Sequence, residues 1–434
     1  MTVFSVSVSR RLLVLVLLLL GVTLFSFSML SSAAAEPGAL SSEVNATPFF
    51  SLNGTINPHA AIAPTYFQSS GSRAANFSFT LSSGNAPVAV EIRNAANAVL
   101  WSNDVQVGET VWGSVTLTSG VNTFTLSNDG SLAAGFSLKF FDLPAAPYSW
   151  VGTASPAGVN SRARLIFPQS GLYTFNFGVN ANGRYEFTVD DTYIQKTVTA
   201  ADSAVYFVPA GAHHLGIVQN PSGGFVNWHV AVSYTGTAVN SLPYSQSSAQ
   251  INEEWLPVYL AAPAEVNMVV TAAGDPGHSL LVEVNQVAKD AGIAQSNASQ
   301  VVQTGETGWL TFDLPAGLSF IHLTAAGGLV SYDLTIDALP QADYTWAGAA
   351  NPSGANSKAR LQFATAGLYK FDFSMNGRFQ FILQVDGQSY LQKTVESFGD
   401  SVVYYVPAGT HLLTLDQDSA AGADWTVAIS LQSA

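Results

Sequence analysis

One passage occurs twice in this chain. "YSWVGTASPAGVNSRARLIFPQSGLYTFNF" at 148–177 returns as "YTWAGAANPSGANSKARLQFATAGLYKFDF" at 344–373, identical at seventeen of thirty positions. The match continues downstream, where "SAVYFVPAGAHHLGIV" at 203 faces "SVVYYVPAGTHLLTL" at 401, and "NWHVAVSY" at 227 faces "DWTVAISL" at 424. A fainter echo lies upstream, "GETVWGSVTLTSGVNTFTL" at 108 facing "GETGWLTFDLPAGLSFIHL" at 305. The offset stays between 194 and 198, so only small loop changes separate the copies. Such a chain is a unit used twice, and each unit holds two different parts, A and B, in the order A-B-A-B.

The local pattern within both parts is strand. Phe77, Phe79 and Leu81 alternate with Ser and Thr; Tyr173, Phe175 and Phe177 alternate with Thr and Asn. Trp228, Val230, Val232 and Tyr234 do the same. Period-two alternation marks strands with one face buried and one solvated, as in antiparallel sheets packed in pairs. Asn-Gly (Asn182-Gly183, Asn376-Gly377) and Pro-Ala-Gly turn signals recur at strand-like intervals, and no capped helical period appears after residue 35. The expected fold is all-β: four tandem antiparallel β-sandwich, jelly-roll-like domains. The boundaries are a signal peptide at 1–35, an extended N-terminal arm at 36–59, and sandwich A1 at 60–146. Sandwich B1 follows at 147–236, a linker at 237–249, A2 at 250–342 and B2 at 343–434. The Ser- and Pro-containing stretch 235–248 reads as a flexible hinge. The arm reads as a stalk or as a strand lent to a neighbouring subunit.

Arg10 and Arg11 precede an apolar run from Leu12 to about Leu30, followed by Ser31, Ser32 and three alanines. That is a secretory leader with a small-residue cleavage site. The long apolar run leaves an uncleaved anchor as the alternative, and the small residues after it favour cleavage. No later stretch approaches spanning length, so no membrane span is expected in the mature chain. The chain has no cysteine, which excludes thiol catalysis and cysteine metal sites and leaves an exported protein to be held by burial alone. Its 15 basic residues, two of them in the leader, stand against 29 acidic ones, and nucleic acid is excluded as a partner.

In the B parts, "GLYTFNF", "YEFTVDD", "VYFVPAGAHHLGI" and "WHVAV" resemble, in that order, the jelly rolls of carbohydrate-binding modules and PA14-type domains. B2 has the same pattern in Val385-Asp386-Gly387 and Pro407-Ala408-Gly409-Thr410-His411-Leu412. The A parts, with "FSFTLSSGNAPVAVEIRNAANAVLW" and "SGVNTFTLSN", resemble bacterial pre-peptidase C-terminal domains. Where members of these families bind calcium through paired acidic loops, this chain has Asp190-Asp191 in one copy and Asp386-Gly387 in the other, a departure that argues against calcium.

No G-x-S-x-G, H-E-x-x-H, P-loop or dinucleotide fingerprint is present, and no catalytic residue, metal ligand or cofactor is assigned. Glu253-Glu254 beside Trp255 occurs in one A part only. His213 and His411 follow Pro-Ala-Gly in matching places and read as turn histidines bonded to backbone, the alternative being a ligand or pH-sensitive contact. Asp190, Asp191 and Asp386 read as hairpin formers. Trp112, Trp228, Trp309 and Trp425 read as core, each indole N–H with a partner. Packing does not account for Tyr148, Trp150, Tyr344 and Trp346 at the passages between domains, nor for Arg162, Arg164, Lys358 and Arg360 in the repeated N-S-R/K-A-R. These eight are the candidate ligand-binding residues. The aromatics are either a surface for sugar rings or plugs between domains, with plugs favoured.

The composition and repeat lead to a secreted, non-enzymatic cell-surface or extracellular-matrix protein with a structural or adhesive role. It would self-assemble through sandwich edges, its partners being copies of itself or surface glycans. The alternative is a glycan-binding protein with two tandem modules; a hydrolase ranks third.

Overall fold

The computed structural model describes residues 47–180, 183–191, 193–219, 224–286, 295–350, 356–396, 399–417 and 423–434. The leader, residues 36–46 of the arm, Asn182 and Gly354 lie outside the described residues. The described residues form strands and no helix.

The first eight strands are β1 (Phe50–Ile56), β2 (Ala60–Ser69), β3 (Arg73–Leu81), β4 (Val88–Arg93), β5 (Val99–Val105), β6 (Thr110–Leu117), β7 (Gly120–Asn128) and β8 (Ala134–Asp142). They build two facing sheets, β1-β8-β3-β6 and β2-β7-β4-β5. Two interleaved Greek keys give this order, which is a jelly roll.

The order repeats with β9 (Tyr148–Ala154), β10 (Ser161–Phe167), β11 (Gly171–Val179), β12 (Tyr185–Val189), β13 (Ile194–Val198), β14 (Asp202–Val208), β15 (Gly211–Gln219) and β16 (Val226–Tyr234). A third set runs β17 (Tyr244–Ile251), β18 (Glu253–Leu260), β19 (Ala264–Gly274), β20 (Ser279–Gln286), β21 (Gln295–Gln303), β22 (Thr307–Leu314), β23 (Gly317–Ala326) and β24 (Val330–Ala338). The last set is β25 (Thr345–Ala350), β26 (Ser357–Phe363), β27 (Gly367–Met375), β28 (Phe379–Val385), β29 (Gln388–Val395), β30 (Asp400–Val406), β31 (Gly409–Gln417) and β32 (Ala423–Ser433). We refer to the four sets as modules one to four. The A and B sequences thus encode one topology.

Two expectations change. Residues 50–56, read as part of an arm, are strand β1, paired along its length with β8 of its own module. Residues 244–251, read as hinge and linker, are strand β17, paired with β24. The segment before β17 is also pinned. Asn240 donates its N–H to the Tyr259 carbonyl and accepts the Tyr259 N–H on its side-chain oxygen, both at 2.8 Å. Leu172 exchanges backbone bonds with Thr235 and Thr237.

Alternation decides the faces as expected: Phe77, Phe79 and Leu81 are fully buried, as are Phe175, Phe187 and Val189. At the Asp386-Gly387 hairpin both residues have positive φ, 50° and 74°, the requirement of a two-residue turn whose twist matches its strands. His213 Nε2 meets the Pro209 carbonyl at 3.0 Å and His411 Nε2 the Pro407 carbonyl at 2.8 Å, the turn role read for both.

Modules one and two, and again three and four, meet through the same two devices, and a third crosses the first joint. Asn76 holds the backbone of Arg164 at both ends, donating to its carbonyl and accepting its N–H at 2.8 Å each; Asn267 does so for Arg360 at 2.8 and 2.9 Å. Trp112 donates its indole N–H to the Val151 carbonyl at 2.8 Å and Trp309 to that of Ala347 at 2.9 Å. Buried Glu109 accepts the N–H groups of Gln106, Ser155 and Val159; its counterpart Glu306, also buried, accepts that of Gln303. At the first of these joints a bridge between Thr110 and Thr153 merges two sheets into one of eight strands. The middle joint differs: modules two and three share one continuous apolar core, while modules one and four have cores of their own.

Gly158 lies against this device, because a Cβ there would stand 1.6 Å from Glu109 Oε1. Gly158→Ala is therefore expected to expel the carboxylate from the Ser155 and Val159 N–H groups, leaving buried donors unpaired. The loss should be about 2–3 kcal/mol in thermal or urea unfolding, and Gly71→Ala, where a Cβ meets open space and φ is not positive, serves as the control.

Candidate functional site

The eight candidate residues are not gathered into one site. Trp150 and Trp346 are buried in the cores of modules two and four, edge-on to Trp228 and Trp425 at 6.1 and 4.7 Å between centroids. Tyr148 is half-buried and stacked on Trp150, and burial pushes its phenol well above the usual range. Tyr344, also half-buried, pairs its backbone with Ile429. Strands β9 and β25 turn the two indoles inward, away from any surface a sugar ring could reach and into the cores of their own modules. The basic residues sit on β10 and β26, in the sheets opposite the aromatics. Arg162 is exposed and pairs with Asp191 at 3.0 Å. Arg164 donates to His214 Nε2 at 3.1 Å, beside the Asp190–His213 pair at 2.6 Å. Arg360 pairs with Asp313, and Lys358 is exposed. Burial and the two arginines lower the pKa of His214. Two side chains of N-S-R/K-A-R reach the preceding module, Ser161 Oγ accepting the Trp112 N–H at 3.1 Å and Arg360 pairing with Asp313, while Asn76 and Asn267 hold the backbone of its last residue.

Of the indole partners expected, those of Trp112 and Trp309 are found across the joints, whereas Trp228 Nε1 is buried without a hydrogen-bond partner.

The densest polar chemistry lies at the middle joint. There the outer strand β13 of module two meets β18 of module three at a single ladder pair, Gln195 with Trp255, and two sheets become one of eight strands. Because side chains alternate, Gln195 and Trp255 face outward while Lys196 and Glu254 face inward, both with fully buried side chains. Lys196 Nζ meets Asp202 Oδ2 at 2.9 Å, Ser248 Oγ at 3.0 Å and Glu254 Oε1 at 3.5 Å. Tyr332 donates its hydroxyl to Glu254 Oε2. Burial raises the Glu254 pKa, and the Lys196 charge opposes that rise.

On the outward face, Trp255 stacks on His322 at 3.9 Å between centroids and 14° between planes. The His322 ring lies between two carboxylates, Nε2 at 2.9 Å from Glu253 and Nδ1 at 3.0 Å from Glu283. Glu186, bonded by Gln195, is pushed up in pKa by burial and by Glu253. Of these residues the sequence reading singled out only Glu253, Glu254 and Trp255, and their absence from the other A part was the available signal.

Beside the joint a cavity of about 360 Å³ lies between Thr197–Asp202 and the outward face of β17, β19 and β24. Its lining is rich in hydroxyls, with Thr197, Thr199, Ser247, Thr271 and Ser331, and carries the carboxylates Asp202 and Asp333.

No protein-family model matches this chain, and no curated protein does. Among solved structures it is similar to the protein described under "The Triple Jelly Roll Fold and Turret Assembly in an Archaeal Virus", at 12% identity and a TM-score of 0.26, covering 64% of this chain and 83% of that one. It is also similar to the CBM22-1-CBM22-2 tandem domain of Paenibacillus barcinonensis Xyn10C, at 12% identity and a TM-score of 0.17, covering 69% and 99%. These likenesses are weak and go no further than jelly-roll architecture; the strand order above carries the fold.

The buried pair yields a test. Lys196→Met leaves Glu254 buried without its cation and should cost about 3–5 kcal/mol, whereas K196M/E254L should recover most of that loss. The folded pKa of Glu254 lies above its unfolded value, so its share of stability falls as pH rises from the ordinary carboxylate range through the folded pKa. Urea unfolding across pH should show that fall steepened in Lys196→Met and removed in Glu254→Gln.

Proposed function

We propose that this is a secreted, non-enzymatic protein of a cell surface or extracellular matrix, with a structural or adhesive role. The observation that carries the reading is the construction of the joints. Asn76 and Asn267, Trp112 and Trp309, and Glu109 use their side chains to fix one module's backbone to the next. The middle joint adds a shared core and a buried ion pair. Modules fixed in this way hold their spacing under load, which suits a load-bearing or spacing element. Fractionation of the producing cell tests it: the reading requires the protein in the medium or on the outer surface, and retention in the cytoplasm overturns it.

A second reading, glycan binding, is favoured by the hydroxyl-lined cavity at the middle joint, whose Thr, Ser and Asp groups suit a polyhydroxylated ligand. It places binding there rather than at Tyr148 and Trp150. Retention on a polysaccharide array that falls at least about tenfold in T271V/D333A supports it; no retention on any glycan removes it.

A further inference from the structure

We infer that the face formed by β29 and β30 of module four docks the first module of a second copy of this chain, so that copies join head to tail. The inference rests on the structural reading above and names the partner.

Module two carries the same face, and there it is covered. "QKTV" stands at 195–198 and again at 392–395, and the Lys–Asp pair beside it recurs, Lys196 with Asp202 at 2.9 Å and Lys393 with Asp400 at 3.0 Å. Tyr206 and Phe207 of β14 correspond to Tyr404 and Tyr405 of β30. In module two, module three buries this set: Lys196 and Tyr206 are inaccessible, and Phe207, 6% exposed, stacks on Tyr259 at 4.3 Å. In module four the corresponding groups are open, with Tyr404 at 37% and Tyr405 at 54%, beside Val403 at 50% and Tyr390 at 49%. Four exposed large apolar side chains on two neighbouring edge strands are more than a solitary surface ordinarily shows.

The occupant follows from what covers the face inside the chain. Module three covers it with β17 and β18, and the same strands of module one are β1 and β2, both at sheet edges. Their chemistry is the complement module four needs. Ile62, opposite Leu126, stands where module three has Glu254, opposite Leu323; Phe136 stands where it has Tyr332. Lys393 keeps Asp400 as its own partner, as Lys196 keeps Asp202, and the aromatic face of module four meets the edge of Phe50, Leu52 and Ile62, each partly buried against the core of module one and flanked by Tyr66 at 64% exposure. The register shift between Ile62 and Thr65 interrupts β2, so the contact is made by side chains, as at the middle joint with its single ladder pair. Two different faces that join in this way do not close on themselves, and the product is an open chain of copies.

The experiment is sedimentation velocity and negative-stain microscopy of the secreted protein over a concentration series. The wild type should form open-ended chains that lengthen with concentration. Tyr405→Asp and Tyr66→Asp should each weaken association at least about tenfold by placing a charge in an apolar contact, with unchanged thermal unfolding because both positions are exposed. An equimolar mixture of the two variants should give one-to-one dimers, since one retains an intact first module and the other an intact fourth. A wild type that stays monomeric overturns the inference, as does a closed dimer insensitive to Tyr66→Asp, the mark of two β29 edges pairing. A monomer found at the cell surface would end this inference and leave the proposed function standing; filaments from a cytoplasmic protein would do the reverse.

Discussion

Every junction between sandwiches buries strand ends and loop backbone, whose N–H and C=O groups must find partners once water is excluded. In this chain the partners are supplied across the junction. Asn76 replaces a missing strand for Arg164, giving its N–H and C=O the two bonds a neighbouring strand would have given. Glu109 gathers N–H groups from two loops, one on each side of the joint, as an anion held by amide dipoles. Separation returns these groups to water, so each bond contributes only about 0.5–1.5 kcal/mol net, but a misfitted joint that keeps them buried and unpaired costs more.

The middle joint meets the same demand with charge. Lys196 and Glu254 are both fully buried, and the desolvation of such a pair is of the same order as its attraction, so its net contribution to stability is small. What it supplies is selectivity. A module that brings neither Glu254 nor Ser248 leaves Lys196 in a buried place with only Asp202 of these three partners, and one that brings no hydroxyl leaves Glu254 without Tyr332. The polar network therefore admits module three and penalises an apolar substitute.

How legible this was depended on the distance over which each interaction acts. Alternation at Phe77–Leu81 and Tyr173–Phe177 gave strand and face, because burial acts on each residue locally. The edge strands β1 and β17 were missed because "FSLNGTI" and "YSQSSAQI" are half-covered and carry little alternation. Trp150 and Trp346 were misplaced as candidate ligand residues for a related reason: an aromatic at a domain boundary has the same sequence context whether it faces in or out. The joints were invisible as joints, since Asn76 and Arg164 lie 88 residues apart, and no local pattern marks an asparagine that will serve as a strand. The repeat nevertheless held a trace of them. It retained Gly158 and Ser161, and both touch the preceding module, Gly158 lying against Glu109 and Ser161 accepting the Trp112 N–H.

Duplication of a two-module unit has a geometric consequence that a single unit lacks. It creates one new contact, between the end of the first copy and the start of the second, and module four exposes the face that this contact covers in module two. In this chain the new contact was elaborated with Glu254, Tyr332 and Asn240, groups that β1 and β2 of module one do not share. The face of module four keeps the Lys–Asp pair and its aromatic residues, Phe207 being matched by Tyr405. The two joints differ on the covering side, where module three brings Glu254 and Tyr332 and module one has Ile62 and Phe136 at the same places. Lys196 and Lys393 each hold an aspartate of their own module, so Glu254 is an addition to a pair that is already made.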